Sequence, residues 1–445
     1  MKVEILDAVM GTGKSTEIIN RVNDSPDTKY IILVPLLTEV ERYKEALSSS
    51  EKGKRSDIVA LDTKESETKT QRFLDAVQEG KTVIASHALF SLLSSWDLSG
   101  IPRGEYELII DETIMLVERG ELKDEDIQVA EKSGLIEKSE HPSIEWLEIY
   151  EMLPAGEAHI GKNGALSSIV KAVQGKHIYS VANRKVVFVV PPEKFEVFNS
   201  ITILTYLFKG SETNGWLEVF KIPFEHLELY KDSAGGLKTK AHIGYYDGAK
   251  FKKLLDIYEG PYNDVGKKEP RAKGYPVGKK WFDQQMKKRK GGALPKLKND
   301  TRSFFRNSSR GNEDNLWTCF KDHIEVLRDN HFSLKGTGEY PQGYLTFNTR
   351  ATNDYADKHV LAFLLNINPF PEIELFFKAH GATFDKDNYA LSVVLQWVWR
   401  SAIRNGDPVK LFLPSERMRS LVQDWLIDFL LRILAKPSKM PCKIK

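Results

Sequence analysis

The stretch KVEILDAVMGTGKST, residues 2 to 16, decides how this chain is read. Lys2 to Ala8 alternate into a short apolar strand, a Gly-rich turn follows, and Ser15 to Val22 has the spacing of a helix. Ala8-Val9-Met10-Gly11-Thr12-Gly13-Lys14-Ser15-Thr16 matches the phosphate-binding loop pattern, with Ala8 in place of its first glycine. Glycines let backbone N–H groups face phosphate oxygens, and a helix N-terminus favours the anion. Lys14 is then placed to meet the β- and γ-phosphates of ATP, and Ser15 to hold Mg2+.

Outward from the loop, β-branched runs recur at Tyr30–Val34, Asp57–Leu61, Thr82–Ser86, Leu108–Ile110, Val186–Val190 and Ile201–Thr205, with helical stretches between several of them. Strands alternating with helices predict an α/β fold with a parallel sheet covered on both faces. The segment Tyr106-Glu107-Leu108-Ile109-Ile110-Asp111-Glu112 is an apolar strand that delivers two adjacent carboxylates. Asp111 can orient the Mg2+ shell, and Glu112 can orient or deprotonate an attacking water. A small-molecule kinase rarely needs that second acid; a hydrolase does.

A second alternating set begins after Gly215, with strands expected at Trp216–Ile222, His226–Tyr230, Tyr344–Asn348 and Val409–Leu413. The expected division is therefore a first domain over residues 1–212, a second over 213–435, and a tail over 436–445. Glu118 to Glu151 carries 11 Asp/Glu against 4 Lys/Arg and reads as a solvated helical insertion in the first domain, spanning about residues 118–180. Tyr262 to Arg310, rich in Gly, Pro and Lys, reads as a mobile basic insertion in the second. A helix is expected from Ala390 to Asn405. At ~100° per residue, Leu391, Val394, Leu395, Val398 and Ala402 share one face, and Gln396, Arg400 and Arg404 the other. That polar face suits an arginine finger on a γ-phosphate or an ordinary solvated surface; spacing alone allows both.

With 445 residues, 41% hydrophobic and 28% charged, the chain is neither disordered, collagenous nor disulfide-stapled. Lys+Arg 64 against Asp+Glu 62 leaves a net charge of +2, which by itself points to no polyanionic or membrane partner. The distribution differs: Gly266 to Arg310 holds 15 Lys/Arg and 3 Asp/Glu, so the rest of the chain is net acidic. Cys319 and Cys442 lack metal-ligand spacing, so the cysteines imply neither a zinc site nor a disulfide framework. The N-terminal residues lack a charged leader with an apolar core, and no uncharged apolar run reaches roughly 18 residues. A soluble cytoplasmic protein without a membrane partner is expected.

In this order the pieces resemble superfamily 2 nucleic-acid helicases, and more narrowly the DEAD/DEAH-box-like helicases of phages and mobile elements. The first motif resembles Ala8–Thr16, the second Asp111-Glu112-Thr113-Ile114, and the sixth Gln396 to Arg404. Leu33 to Glu39 is similar to motif Ia, Ala85 to Phe90 to the strand-end segment after it, and Ile203 to Phe208 to motif III. In the second core, Phe347 to Asn353 resembles motif V, and Leu413 to Arg419 the strand-to-helix stretch of the phage-type group. The resemblance implies two tandem RecA-like domains and an ATP-dependent helicase or translocase. Lys14, Ser15, Asp111 and Glu112 would come from one domain, and Gln396, Arg400 and Arg404 from the other. Two departures stand out: Thr113-Ile114 follows the acid pair, and Arg404 lies eight residues after Gln396 rather than seven. Either Arg400 or Arg404 can therefore be the finger.

Nucleic acid is the expected partner, DNA ahead of RNA, with the host cytoplasm as the setting and replication or recombination proteins nearby. His87, with Ser86 beside it at a strand end, is a candidate contact to a nucleic-acid backbone or to the Mg2+ shell, or else a structural histidine. Thr205 is a candidate coupling residue or an ordinary strand end. Arg350 and Asn353 are candidates for phosphate contact or for capping. In the basic segment, Lys279, Lys280, Lys287, Lys288 and Arg289, interleaved with Tyr275, Trp281 and Phe282, can neutralise phosphates and stack on unpaired bases. A solubilising loop or a dock for an acidic protein are the other readings of that segment. A packaging-type motor would need a carboxylate cluster after Arg404, and the sequence has none at convincing spacing. A nucleotide-switched scaffold that binds without turnover is the non-enzymatic alternative.

Overall fold

The computed structural model describes residues 2–49, 55–61, 69–93, 95–120, 124–140, 148–152, 176–181, 185–244, 246, 248–268, 274–288, 292–336, 338–349 and 352–427. The chain divides into two units. One comprises Met1–His242 and Pro369–Asp385, the other Ile243–Asn368 and Lys386–Lys445.

The first unit contains strands β1 (Lys2–Asp7), β2 (Lys29–Val34), β3 (Ile58–Ala60), β4 (Thr82–Ser86), β5 (Tyr106–Asp111), β6 (Val117–Arg119) and β7 (Ile136–Glu140). It continues with β8 (Glu148–Met152), β9 (His177–Val181), β10 (Lys185–Val189), β11 (Ser200–Thr205), β12 (Phe224–Lys231) and β13 (Leu237–Ala241). Eight of these form one sheet in the order β13-β12-β1-β11-β5-β2-β4-β3, parallel throughout except for the β12–β13 pair. Alternation along the strands serves both faces. Ile5, Ile31, Leu33, Leu108, Ile110 and Ile203 enter one core. Leu6, Ile32, Val34, Ile109 and Leu204 enter the other, beneath helices α1 (Lys14–Asp24) and α2 (Leu37–Ser48). Each such fully buried aliphatic side chain contributes about 1.5–3 kcal/mol.

The expected α/β class with parallel sheets flanked by helices is the observed one, and several local expectations are corrected. Among its described residues, the acidic stretch after β5 is not simply helical. Besides the helix Asp124–Lys132, it contributes β7 and β8 to an antiparallel sheet ordered β6-β10-β9-β8-β7. Its acids stand three apart in IEKSE and EIYEM, a spacing that reads as helical, yet both stretches are strands. Val186 to Val189 belongs to that antiparallel sheet through β9 and β6. Trp216 to Ile222 is not a strand: Glu212–Val219 is a helix, started by Ser211, whose hydroxyl accepts the Asn214 N–H at 3.1 Å. His226 to Tyr230 is a strand, but it pairs with β1. The first unit therefore runs on to His242 and does not end at residue 212.

The second unit has a four-stranded, fully parallel sheet of β14 (Leu255–Ile257), β15 (Asn315–Thr318), β16 (Val360–Phe363) and β17 (Val409–Phe412), ordered β14-β17-β16-β15. Tyr344 to Asn348 makes no strand; Tyr344 forms a single bridge to Trp317, and Leu345 N–H donates to Trp317 O at 3.0 Å. Among its described residues, the basic segment is not a loose insertion. It folds into helices Lys279–Met286 and Leu294–Ser308, and Phe282, Leu294, Leu297, Phe304 and Phe305 are buried in the unit's core. Its apolar residues fall at helical spacing, while Lys279, Lys280, Lys287, Lys288 and Lys296 are exposed. The helix expected to reach Asn405 runs over Lys386–Val398, followed by a short 3-10 turn over Ala402–Asn405. Among the described residues, no helix is long and apolar enough to cross a membrane.

Candidate nucleotide site

β1 runs out of pairing at Asp7, and Ala8 N–H still donates to Thr205 O at 3.1 Å. The chain then turns tightly: Gly11 has φ 74° and Gly13 φ 99°, backbone that glycine adopts without strain. Thr12 Oγ1 donates to Val9 O at 2.7 Å and closes the loop. Gly13 is the N-cap of α1 and offers no side chain to its first-turn N–H groups, which leaves them for an anion. A Cβ at Gly13 would also stand 3.1 Å from Leu237 Cδ1. Lys14 Nζ turns back onto the Ala8 and Val9 carbonyls. Met10, Thr12, Lys14 and Ser15 are half-buried, and Gly11 and Thr16 are exposed.

Asp111 ends β5, one strand from β1, with β11 between them. Thr205 thus stands between the loop strand and the acid strand, level with Asp7. Ser15 Oγ donates to Asp111 Oδ2 at 2.9 Å, so the two residues assigned to Mg2+ meet across 96 positions of chain. Tyr43, fully buried on α2, donates to the same oxygen at 2.7 Å, and Arg42 Nη2 lies 3.8 Å from it. Burial, then the Asp111 charge, pushes the Tyr43 phenol well above its ordinary pKa, so it stays a donor. Glu112 follows at φ 63°, a left-handed conformation that costs a non-glycine residue about 1–2 kcal/mol. His87, half-buried, opens the helix His87–Leu92. The capping there is done by Ser86, whose hydroxyl accepts the Leu89 N–H at 3.2 Å.

In the second unit Gln396 is half-buried on its helix, and Arg400, past the helix end, is buried. Arg404 is half-buried; its Nη1 donates to Thr352 O at 3.2 Å and bonds Asn353 Oδ1. The motif V-like and motif VI-like segments therefore meet inside this unit. Lys279, Lys280, Lys287 and Lys288 are exposed on or beside the helix Lys279–Met286, with Lys279 paired to Asp322. Arg289 and Arg350 lie outside the described residues.

Over 433 residues the chain is 30% identical to the SPbeta prophage-derived uncharacterized protein YonV of Bacillus subtilis (strain 168), a match covering 96% of this chain and 98% of that one. The chain belongs to the YonV family. Residues 249–426 match the YonV C-terminal Rossmann-like domain, a span that begins close to the start of the second unit. Among solved structures, S. tokodaii Xpd4 aligns over 96% of this YonV-family chain and 95% of its own, with a TM-score of 0.50 and 11% identity. A structure titled XPD_APO aligns over 95% of each chain with a TM-score of 0.48 and 11% identity. The likeness to Xpd4 is one of fold.

The sequence reading of this YonV-family chain overlooked Tyr43 and Arg42, and took Ser86 for a possible contact rather than a helix cap. A helix residue 68 positions from Asp111 carries no local signal of that contact. Ser86, directly before a short helix, carries the cap signature that would have found it.

Proposed function

We propose that this chain is an ATP-dependent nucleic-acid helicase or translocase acting on DNA, in the replication or recombination of a phage-type element. The 2.9 Å contact between Ser15 and Asp111, at the mouth of a helix N-terminus with no side-chain cap, carries the reading. These residues fit Mg2+·ATP: a hydroxyl and a carboxylate converge for the cation, and uncapped N–H groups with Lys14 are at hand for the phosphates. Bound Mg2+·ATP supplies a γ-phosphoryl group polarised for in-line attack by water. The amides from Met10 to Gly13 and the first turn of α1 hold phosphate oxygens, and Lys14 exchanges its two loop carbonyls for them. Ser15 and Asp111 hold the cation, with Tyr43 fixing the carboxylate. Glu112 orients the attacking water and accepts its proton.

From the resemblance, Arg400 or Arg404 is the arginine finger, with Gln396 assisting. Thr205, between the two motif strands, suits the coupling role. The exposed lysines around the helix Lys279–Met286 supply the grip on a polyanion, with His87 and Asn353 as further contacts. The test is ATP hydrolysis measured with single-stranded DNA, duplex DNA and RNA added separately at several salt concentrations. Stimulation by DNA, abolished by Lys14→Ala and Glu112→Gln and strongly reduced by Arg400→Ala, is the expected result. Hydrolysis indifferent to all three substitutions overturns the reading.

A further inference from the structure

Asp7, the last residue of β1, sits at a junction the nucleotide site does not use. Its side chain is fully buried, and its Oδ2 accepts the Phe208 N–H at 3.0 Å. The same oxygen lies 3.0 Å from His226 Nε2 on the neighbouring strand. His226 and His242 are opposed across the β12–β13 pair, where His242 N–H donates to His226 O at 2.8 Å. Leu6 and Leu227 pack towards α1, so by alternation Asp7, His226 and His242 share the opposite face of the sheet. The two imidazoles stack at 4.2 Å with an angle of 10° between ring planes. One donor atom from each of the three residues lies within 4.8 Å of the others, and these are the only such donor cluster of three among the described residues.

We propose that Asp7, His226 and His242 bind a divalent transition-metal ion of the Zn2+ type, at a site separate from the Mg2+ ligands Ser15 and Asp111. Two imidazole nitrogens and one carboxylate oxygen suit Zn2+ or Co2+; Mg2+ prefers an all-oxygen shell. Bonds of ~2.0–2.2 Å set donor atoms roughly 3.3 Å apart; His226 Nε2 and Asp7 Oδ2 already stand at 3.0 Å, and all three donors lie within 4.8 Å of one another. A bound ion replaces the direct His226–Asp7 hydrogen bond by shared ligation, with the half-buried His242 ring turning its nitrogen to the ion. The rigid sheet supplies the frame, and the Phe208 N–H holds the carboxylate from behind. Partial exposure of both rings leaves an outer position for water, as in sites with three protein ligands. Asp7 directly precedes the phosphate loop, so the ion would pin the loop's base to β12 and β13.

The test uses the full chain without a histidine tag, stripped of metal and titrated with Zn2+ against a chromogenic chelator, and with Co2+ by visible absorption. One tight equivalent of Zn2+, a Co2+ spectrum of a low-coordinate nitrogen–oxygen site, and a Zn2+-dependent rise in Tm are expected. His242→Ala should weaken Zn2+ binding by at least the ~10–100-fold that loss of an outer-shell partner alone costs. His226→Gln, which keeps a hydrogen bond to Asp7, should lose the Co2+ spectrum while its metal-free Tm stays near that of the parent. Absence of a tight equivalent in the parent chain, or its persistence in both variants, overturns the proposal.

Discussion

Tyr43 Oη donates to Asp111 Oδ2 at 2.7 Å, and that oxygen is the one Ser15 Oγ reaches at 2.9 Å. A residue outside the recognised motifs therefore sets the orientation of the carboxylate proposed to hold Mg2+. Tyr43→Phe removes a buried donor to a charged acceptor, a change worth about 1.5–3 kcal/mol. The expected outcome is a lower Tm and a several-fold higher Mg2+ concentration for half-maximal ATP hydrolysis, read from a Mg2+ titration.

Gly13 tests the loop by two separable routes. Gly13→Ala meets Leu237 at 3.1 Å and must also adopt φ 99°, which alone costs on the order of 1–2 kcal/mol. Nucleotide binding, followed with a fluorescent ATP analogue, should weaken roughly tenfold or more, as ~1.4 kcal/mol per decade requires. Adding Leu237→Ala removes the contact and leaves the φ, so the double variant should recover only part of the affinity.

Glu112 stands at φ 63°, strain that its place in the site explains. Glu112→Gln should leave ATP binding intact and lower turnover by about 10²–10⁴-fold, the usual worth of a positioned acid–base group. Glu112→Gly should abolish turnover as well but raise Tm, since glycine takes that backbone without cost. A fall in Tm for the glycine variant would show that the side chain stabilises the fold.

Lys194 gives the first unit a pH dependence of known sign. Its side chain is buried, its Nζ is 3.3 Å from Phe90 O, and burial, then the nearby Lys176 charge, lowers its pKa to about 8. In the unfolded chain the group titrates near ~10.4. Between these values the unfolded state binds more protons, so this group makes stability rise with pH across about 8 to 10. Lys194→Met should stabilise the protein at pH 7, by on the order of 1–3 kcal/mol, and flatten that rise. Thermal unfolding of both proteins at pH 7 and 9.5 checks it.

Lys287 and Lys288 are exposed just beyond the helix Lys279–Met286. If they neutralise phosphates, replacing both with Ala should weaken DNA binding uniformly across sequences. It should also reduce the slope of log K against log salt by about 1–2. Fluorescence anisotropy at four salt concentrations measures this; an unchanged slope assigns the lysines to solvation.

Where chemistry is packed into contiguous residues, the linear chain was enough. The loop from Ala8 to Thr16 is nine consecutive residues, and its strand and helix lie beside it, so local spacing specified the turn. Asp111 and Glu112 were legible because an apolar strand ends on them. Composition misled where it masked periodicity. The charge of Gly266 to Arg310 suggested a loose loop, although Leu294, Leu297, Phe304 and Phe305 already marked a helix face that the core covers.

Pairing across long separations was decided by the tertiary structure. Tyr43 reaches Asp111 over 68 positions, and Asp7 reaches His226 over 219. Neither pair leaves a trace in local spacing, because strand order is set by which faces bury together, and not by order along the chain. The first unit likewise gains Pro369–Asp385 because Ile373, Phe376 and Phe377 find their burial in its core. The sequence by itself determined the parts and the chemistry each could do. Which parts stand together is a property of packing, where burial of apolar faces outweighs proximity along the backbone.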